Sequence, residues 1–210
     1  MDKKCIIVDL DHTFMRCNTF HKWLLFLARR LFWKKPQLVI SICYFMLMRF
    51  LKRITHKSLK RNVISLVNKN LILINEKRFV DELHNYINLR IRNELENKRE
   101  GEIWILATAA PMIYAQIIGG VYKFDYTLGT SMDTDSGNWT ENLKEVKAKN
   151  VIDLTKKLNL LEINRLYTDH HDDIPLMKLV DKTILVNPSE KTVDLVKESG
   201  ITNYEIIIDN

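Results

Sequence analysis

Apolar residues recur along this chain in two rhythms. Between residues 19 and 98 they return every three or four positions, whereas beyond Gly101 short continuous apolar runs alternate with such stretches. The first rhythm is that of amphipathic helices, the second that of buried strands separated by helices. Thr19 to Trp33 carries Phe20, Trp23, Leu24, Leu27, Leu31 and Phe32 at helical spacing, with Leu25 and Phe26 added. Pro36 suits the first position of a second helix, which runs to about Arg53 and is apolar nearly all round. A third helix is predicted from about Lys57 to Asn70, and a fourth from Asn75 to Lys98. No glycine interrupts this stretch. Four helices in succession predict a bundle.

Ahead of the helices, Cys5-Ile6-Ile7-Val8 reads as a strand buried on both faces. Further strands are predicted at Ile103–Leu106, within 124–139, and at Arg165–Tyr167, Thr183–Val186 and Tyr204–Ile208. The 124–139 segment holds one or two strands, with turn chemistry at Asp135-Ser136-Gly137-Asn138. Helices are expected at Pro111–Ile118, Asn142–Leu158, Ile174–Leu179 and Glu190–Glu198. The fold class is therefore α/β: a Rossmann-like parallel-sheet core, residues 1–15 and 100–210, interrupted by a helical insert over 16–99.

Composition adds the cellular setting. A hydrophobic content of 46% with 28% charged residues belongs to a globular chain, not a disordered one. Cys5, Cys17 and Cys43 are odd in number and irregularly spaced, which suits a reducing compartment and no disulfide framework. The one early apolar run is four residues long and ends in acids, unlike a secretory leader. The expected location is the cytoplasm.

Charge changes the picture more. The net charge of +6 hides +13 over residues 16–100 against −7 over the rest. No Asp or Glu occurs between Asp11 and Glu76, while 13 Lys and Arg do. Such asymmetry points to an anionic partner: a membrane surface, a nucleic acid or a phosphorylated substrate. The region is too apolar for a nucleic-acid module and carries no recognised reading motif, so no nucleic acid is expected.

Candidate chemistry begins where the first strand ends, at Asp9-Leu10-Asp11-His12-Thr13. Open parallel sheets hold ligands beyond the carboxyl ends of their strands. Two carboxylates there are costly to bury unless a metal or cations share the site. Taken singly, such a pair is more often a solvated turn. Thr108 follows the strand ending at Leu106-Ala107, where its hydroxyl and nearby N–H groups suit phosphate oxygens. Lys147 lies on a predicted helix, and Thr168-Asp169-His170-His171-Asp172-Asp173 follows a third strand. Each has an ordinary alternative: a helix cap for Thr108, a solvated face for Lys147, a helix N-terminus for the acids. Their order and joint placement favour metal-assisted phosphoryl transfer.

These residues resemble the motifs of the haloacid dehalogenase superfamily of phosphatases, in its phosphoserine phosphatase-like branch. Asp-x-Asp-x-Thr appears as Asp9-Leu10-Asp11-His12-Thr13, and Thr-Ala-Ser-Pro as Thr108-Ala109-Ala110-Pro111, with Ala110 departing from Ser. The lysine motif best matches Lys147, with Lys144 where the usual Gly stands three residues earlier. Asp169 to Leu176 matches the acidic fourth motif. The resemblance implies Asp9 as nucleophile and Asp11 as general acid and base. It implies Mg²⁺ held by Asp9, the Asp11 carbonyl and Asp169, and phosphoryl contacts from Thr108, Ala109 and Lys147. Asp173, or its neighbour Asp172, would orient Lys147 and the metal's water. His12, His170 and His171 are expected at the rim.

In this family an insert between the first two motifs is a substrate-selecting cap. The branch's phosphoserine phosphatases carry Glu nine residues after the nucleophile, to meet an ammonium group; here that position is Asn18, which argues against phosphoserine. The uncharged run Pro36–Met48 is 13 residues, too short to span a bilayer. Basic residues at both ends of the Thr19–Arg53 hairpin, with Trp23 and Trp33, suit a hairpin lying on the inner face of an anionic membrane. A well-packed cap with a basic exterior is the plainer alternative. The hairpin and Ile103-Trp104-Ile105-Leu106 also look like phosphatidylglycerophosphatase C-type enzymes, which implies a lipid phosphate substrate; a soluble phosphorylated metabolite is the alternative.

Overall fold

The computed structural model describes residues 3–70, 76–135, 139–160 and 162–209. Six strands form one parallel sheet: β1 (Lys4–Val8), β2 (Glu102–Pro111), β3 (Tyr126–Thr130), β4 (Arg165–Thr168), β5 (Lys182–Val186) and β6 (Tyr204–Ile207). Their spatial order is β3-β2-β1-β4-β5-β6, with all pairs parallel. The order reverses between β1 and β4, which opens a crevice beyond their carboxyl ends.

Alternation along the strands divides the core. Ile6, Val8, Trp104, Leu106, Tyr167 and Ile184 face one side, and Cys5, Ile7, Ile105, Ala107, Leu166 and Leu185 face the other. The second side is covered by α7 (Glu145–Lys157), α8 (Ile174–Met177) and α9 (Glu190–Glu198), through Val151, Leu176 and Val196. The first side is continuous with the cores of α1 (Thr19–Leu31), α2 (Pro36–Phe50), α3 (His56–Lys69), α4 (Glu76–Glu82), α5 (Leu89–Glu96) and α6 (Met112–Val121). Gly119 lets α6 approach β3, because a Cβ there would meet the Thr127 hydroxyl at 2.0 Å.

The insert differs from the predicted four helices. Where one helix was expected from Asn75 to Lys98, the chain forms α4, a 3-10 turn at His84–Tyr86 and α5. The break has a local cause. Asn88 accepts hydrogen bonds from the Arg90 and Ile91 amides, capping α5, while its own N–H donates to the Phe14 carbonyl. That capping conformation cannot continue a helix. Asn75 and most of the expected 135–138 turn lie outside the described residues. The segment 124–139 contributes one strand, β3, among the described residues.

Within the hairpin, α1 buries Phe20, Trp23, Leu24, Phe26, Leu27 and Leu31, whereas Phe32 falls past its end and is exposed. α2 is the exception in the molecule. Of its 15 residues only Leu38 and Ile42 are buried, and Ile40, Tyr44, Leu47 and Phe50 face outward. Among the described residues no helix is long and apolar enough to cross a membrane.

Candidate active site

β1 delivers Asp9 and β4 delivers Asp169 to the two sides of the topological crevice. The Asp9 amide donates to the Tyr167 carbonyl at 2.9 Å, extending the β1–β4 ladder to Asp9 itself. The chain then turns through His12, whose φ of 57° is left-handed, and returns as the Phe14 amide donates to the Asp9 carbonyl. Asp11 Oδ1 accepts from the Thr19 amide at 2.7 Å. This carboxylate is thus held at the positive N-terminal end of α1. Buried Thr13 donates weakly, at 3.5 Å, to Asp169 Oδ1.

Lys147 reaches the same point from α7. Its Nζ is buried and donates to Asp9 Oδ1 at 2.7 Å and to Asp173 Oδ2 at 2.8 Å. Asp173 also accepts from Thr168 Oγ1 at 2.7 Å, so it orients the lysine. Asp172 also lines the pocket but pairs elsewhere, 3.4 Å from Lys144 Nζ and 3.3 Å from His170 Nδ1. Lys144 is half exposed and stands at φ 54°, ψ −126°, a backbone conformation suited to glycine. Of the two lysines, Lys147 holds its charge against the Asp9 carboxylate.

β2 runs five residues past Leu106, the expected strand end, but not as a regular strand. Its pairing with β3 jumps from Ala107–Leu128 to Pro111–Thr130, a bulge that releases Thr108, Ala109 and Ala110 from the ladder. Thr108 Oγ1 accepts from the Ala110 amide at 3.0 Å, and Asn142 Nδ2 donates to the Thr108 and Leu128 carbonyls, each at 3.0 Å. Bulges of this kind re-aim side chains, and Thr108 and Ala109 both line the pocket. Asn18 lines it too, while its Oδ1 accepts from the His21 amide as the cap of α1.

Five residues of the pocket were not anticipated: Phe20, His56, Lys60, Glu141 and Leu143. Lys60 of α3 is buried; its Nζ donates to the Ala109 carbonyl at 2.9 Å and pairs with Glu141 at 2.5 Å. The pair joins the insert to the segment after β3 beside the bulge. One signal was legible: Lys60 lies on the apolar stripe of α3, among Leu59, Val63, Ile64 and Val67. Lysine in such a stripe calls for a buried partner. His56 and Phe20 complete the side facing the insert, their rings meeting edge to face at 5.6 Å. His12 and His170 line the pocket, whereas His171, expected beside them, is not among its lining residues and lies with Nδ1 3.3 Å from Thr192 Oγ1.

The resulting pocket, about 220 Å³, gathers Asp9, Asp11, Asp169 and Asp173 with Lys147, and Lys60 lines it too. Burial pushes the Asp9 carboxyl up to about 8, outweighing the attraction of Lys147, with Asp173 and Asp169 adding to the rise. Burial likewise raises Asp169 to about 6. An excess of buried negative charge on oxygen donors is the condition that a hard divalent cation relieves. Asp9, Asp169 and the Asp11 carbonyl supply the donor types that Mg²⁺ takes, so the residues present fit that ion.

Residues 6–178 match the haloacid dehalogenase-like hydrolase family. The chain belongs to this family. No curated protein sequence matches it. Among solved structures, a protein of unknown function from Bordetella pertussis Tohama I superposes with a TM-score of 0.78 at 19% identity, covering 99% of both chains. A phosphoserine phosphatase solved as a phospho-aspartyl intermediate analogue gives 0.56 at 17% identity, over 100% of this chain and 95% of that one. A predicted phosphatase from Clostridium acetobutylicum gives 0.58 at 16% identity, with coverage of 100% and 95%. At these identities the likeness is one of fold. It assigns the parallel sheet of this hydrolase to the haloacid dehalogenase-like architecture.

Proposed function

We propose that this hydrolase cleaves phosphomonoesters through an aspartyl-phosphate formed on Asp9. The observation that carries the reading is the Lys147 Nζ held between Asp9 and Asp173, at the switch point of the sheet, next to the Thr108 bulge. A carboxylate oxygen of Asp9 bonds to phosphorus as the bond from phosphorus to the ester oxygen breaks. Asp11 gives its proton to that leaving oxygen. Asp11 then takes a proton from water as the water oxygen bonds to phosphorus and the bond to Asp9 breaks, releasing inorganic phosphate. Two carboxylates are needed because one side chain cannot be nucleophile and proton donor at once. Lys147 and Thr108, with the backbone at Ala109, offset the charge of the transferring phosphoryl. Asp9, Asp169 and the Asp11 carbonyl would hold Mg²⁺, which when bound neutralises charge on Asp9 and on the phosphoryl oxygens.

The finer reading is that the phosphate belongs to a lipid and that the enzyme works on an anionic membrane surface. Its support is the exposed apolar face of α2 within a stretch of chain that carries no acid from His12 to Asn75. The resemblance of the hairpin to phosphatidylglycerophosphatase C-type enzymes points the same way. Asn18 at the position of the ammonium-binding Glu argues against phosphoserine. The deciding experiment is a phosphatase screen with Mg²⁺ that compares phosphatidylglycerophosphate with soluble phosphomonoesters, run beside Asp9→Asn. Turnover by Asp9→Asn would overturn the mechanism, and preference for a soluble ester would overturn the lipid assignment.

A further inference from the structure

A second cleft, about 400 Å³, lies between α1, α2 and α3 and shares Asn18, Phe20 and His56 with the catalytic pocket. We infer that this cleft is the subsite for a hydrocarbon chain carried by the phosphomonoester, which leaves the catalytic pocket past the Phe20 and His56 rings. The inference rests on the phosphomonoesterase reading of that pocket and specifies the substrate as an amphiphile.

The two spaces differ in chemistry. The catalytic pocket is small for a ligand site, below the usual range of about 300–1,000 Å³, and its far end is made of carboxylates. It suits a phosphate and a few attached atoms. The cleft lies within that range; Leu24, Met46, Phe50 and Leu59 supply its apolar wall, and His21 and Arg49 also line it. Leu24 and Leu59 are buried and Met46 packs against the same core, so the floor is preformed. At the outer end Phe50 is 82% exposed, and Leu47 and Leu51 continue the apolar surface onto the outer side of α2. An exposed phenyl ring bordering an apolar cleft is hydrated at a cost that a bound chain removes. Lys60 lies 5.5 Å over the Phe20 ring but is paired with Glu141, so the passage between the two spaces presents a ring face. The polar end thus opens onto an apolar path that reaches the surface at α2.

The test measures binding without turnover. Asp9→Asn protein is titrated by calorimetry with n-alkyl phosphates from ethyl to octyl, each kept monomeric. Every methylene that enters the cleft tightens binding about two- to fourfold, so the series gains well over tenfold from end to end. Met46→Gln/Phe50→Gln in the same background flattens the series to within about threefold, whereas Phe50→Leu keeps it steep and shows that the fold survives change at that position. A flat series in Asp9→Asn overturns the inference, and so does a steep series in the Met46/Phe50 variant. A dimer that octyl phosphate converts to monomer would assign the cleft to a second copy of the chain and overturn it as well. Failure of the wild-type protein to hydrolyse any phosphomonoester would refute the activity and leave this binding result standing.

Discussion

Lys147 Nζ stands 2.7 Å from Asp9 Oδ1, although 138 positions separate the two residues in the chain. In the proposed mechanism this contact couples catalysis to stability, because Lys147 is also the cation beside buried Asp173. Removing one partner of a buried ion pair leaves an uncompensated charge, at a cost of about 3–5 kcal/mol. Lys147→Met is expected to lower the urea unfolding free energy by about that amount and to reduce turnover about 100-fold or more. In the proposed mechanism Asp9→Asn is expected to abolish turnover without this penalty, since it removes a carboxyl that burial already disfavours as an anion. Equal destabilisation by the two substitutions would contradict this account.

Lys144 stands at φ 54°, ψ −126° just before α7, and its side chain makes only an exposed 3.4 Å contact to Asp172. A non-glycine residue in such a conformation costs on the order of 1–3 kcal/mol, while an exposed ion pair contributes about 0–1 kcal/mol. Lys144→Gly is therefore expected to raise unfolding free energy by about 1 kcal/mol and to retain turnover. Lys144→Ala, which keeps the Cβ, should bring no gain. Parallel thermal melts and initial rates decide the point.

The contrast between Lys147 and Lys144 shows what was legible in the sequence. Strand-end acids could be read because β1 and β4 are short apolar runs that stop at Asp9 and Asp169. The direction of Lys147 could not, since helical spacing alone leaves Lys144, Lys147 and Lys149 open. Similarly, apolar periodicity found the helices of the insert but not the break at Asn88, which arises from a contact with Phe14, distant in sequence. Glu141 was silent for the same reason: its partner, Lys60, lies 81 positions away and only the fold joins them.

That Lys60–Glu141 pair supports a third prediction. Both side chains are buried, and Lys60 also holds the Ala109 carbonyl beside Thr108. Lys60→Met leaves Glu141 unpaired and is expected to cost about 3–5 kcal/mol in urea unfolding. Lys60→Met/Glu141→Leu should recover most of that loss, because two apolar side chains replace two desolvated charges. Both variants lose the tether on Ala109, so turnover should fall in each, while stability separates them. Additive destabilisation of the two sites would show that the pair is not coupled in the fold.

Trp33 provides an internal probe of the membrane-surface reading. It is 88% exposed, whereas Trp23, Trp104 and Trp139 are buried. Arg29, Arg30, Lys34 and Lys35 lie within four residues of it in the chain, close in sequence to the apolar face of α2. Anionic lipid attracts each such cation by about 1 kcal/mol near the surface, and salt weakens the attraction. Vesicles of phosphatidylglycerol at low ionic strength are therefore expected to co-sediment the protein and to shift tryptophan emission to the blue. Neutral vesicles should do neither. Trp33→Phe should remove the emission shift, since the buried indoles do not change environment. Lys34→Glu/Lys35→Glu reverses two charges and should weaken sedimentation by about tenfold or more. Absence of co-sedimentation at low salt would separate the apolar face of α2 from membranes and leave a phosphatase of soluble esters.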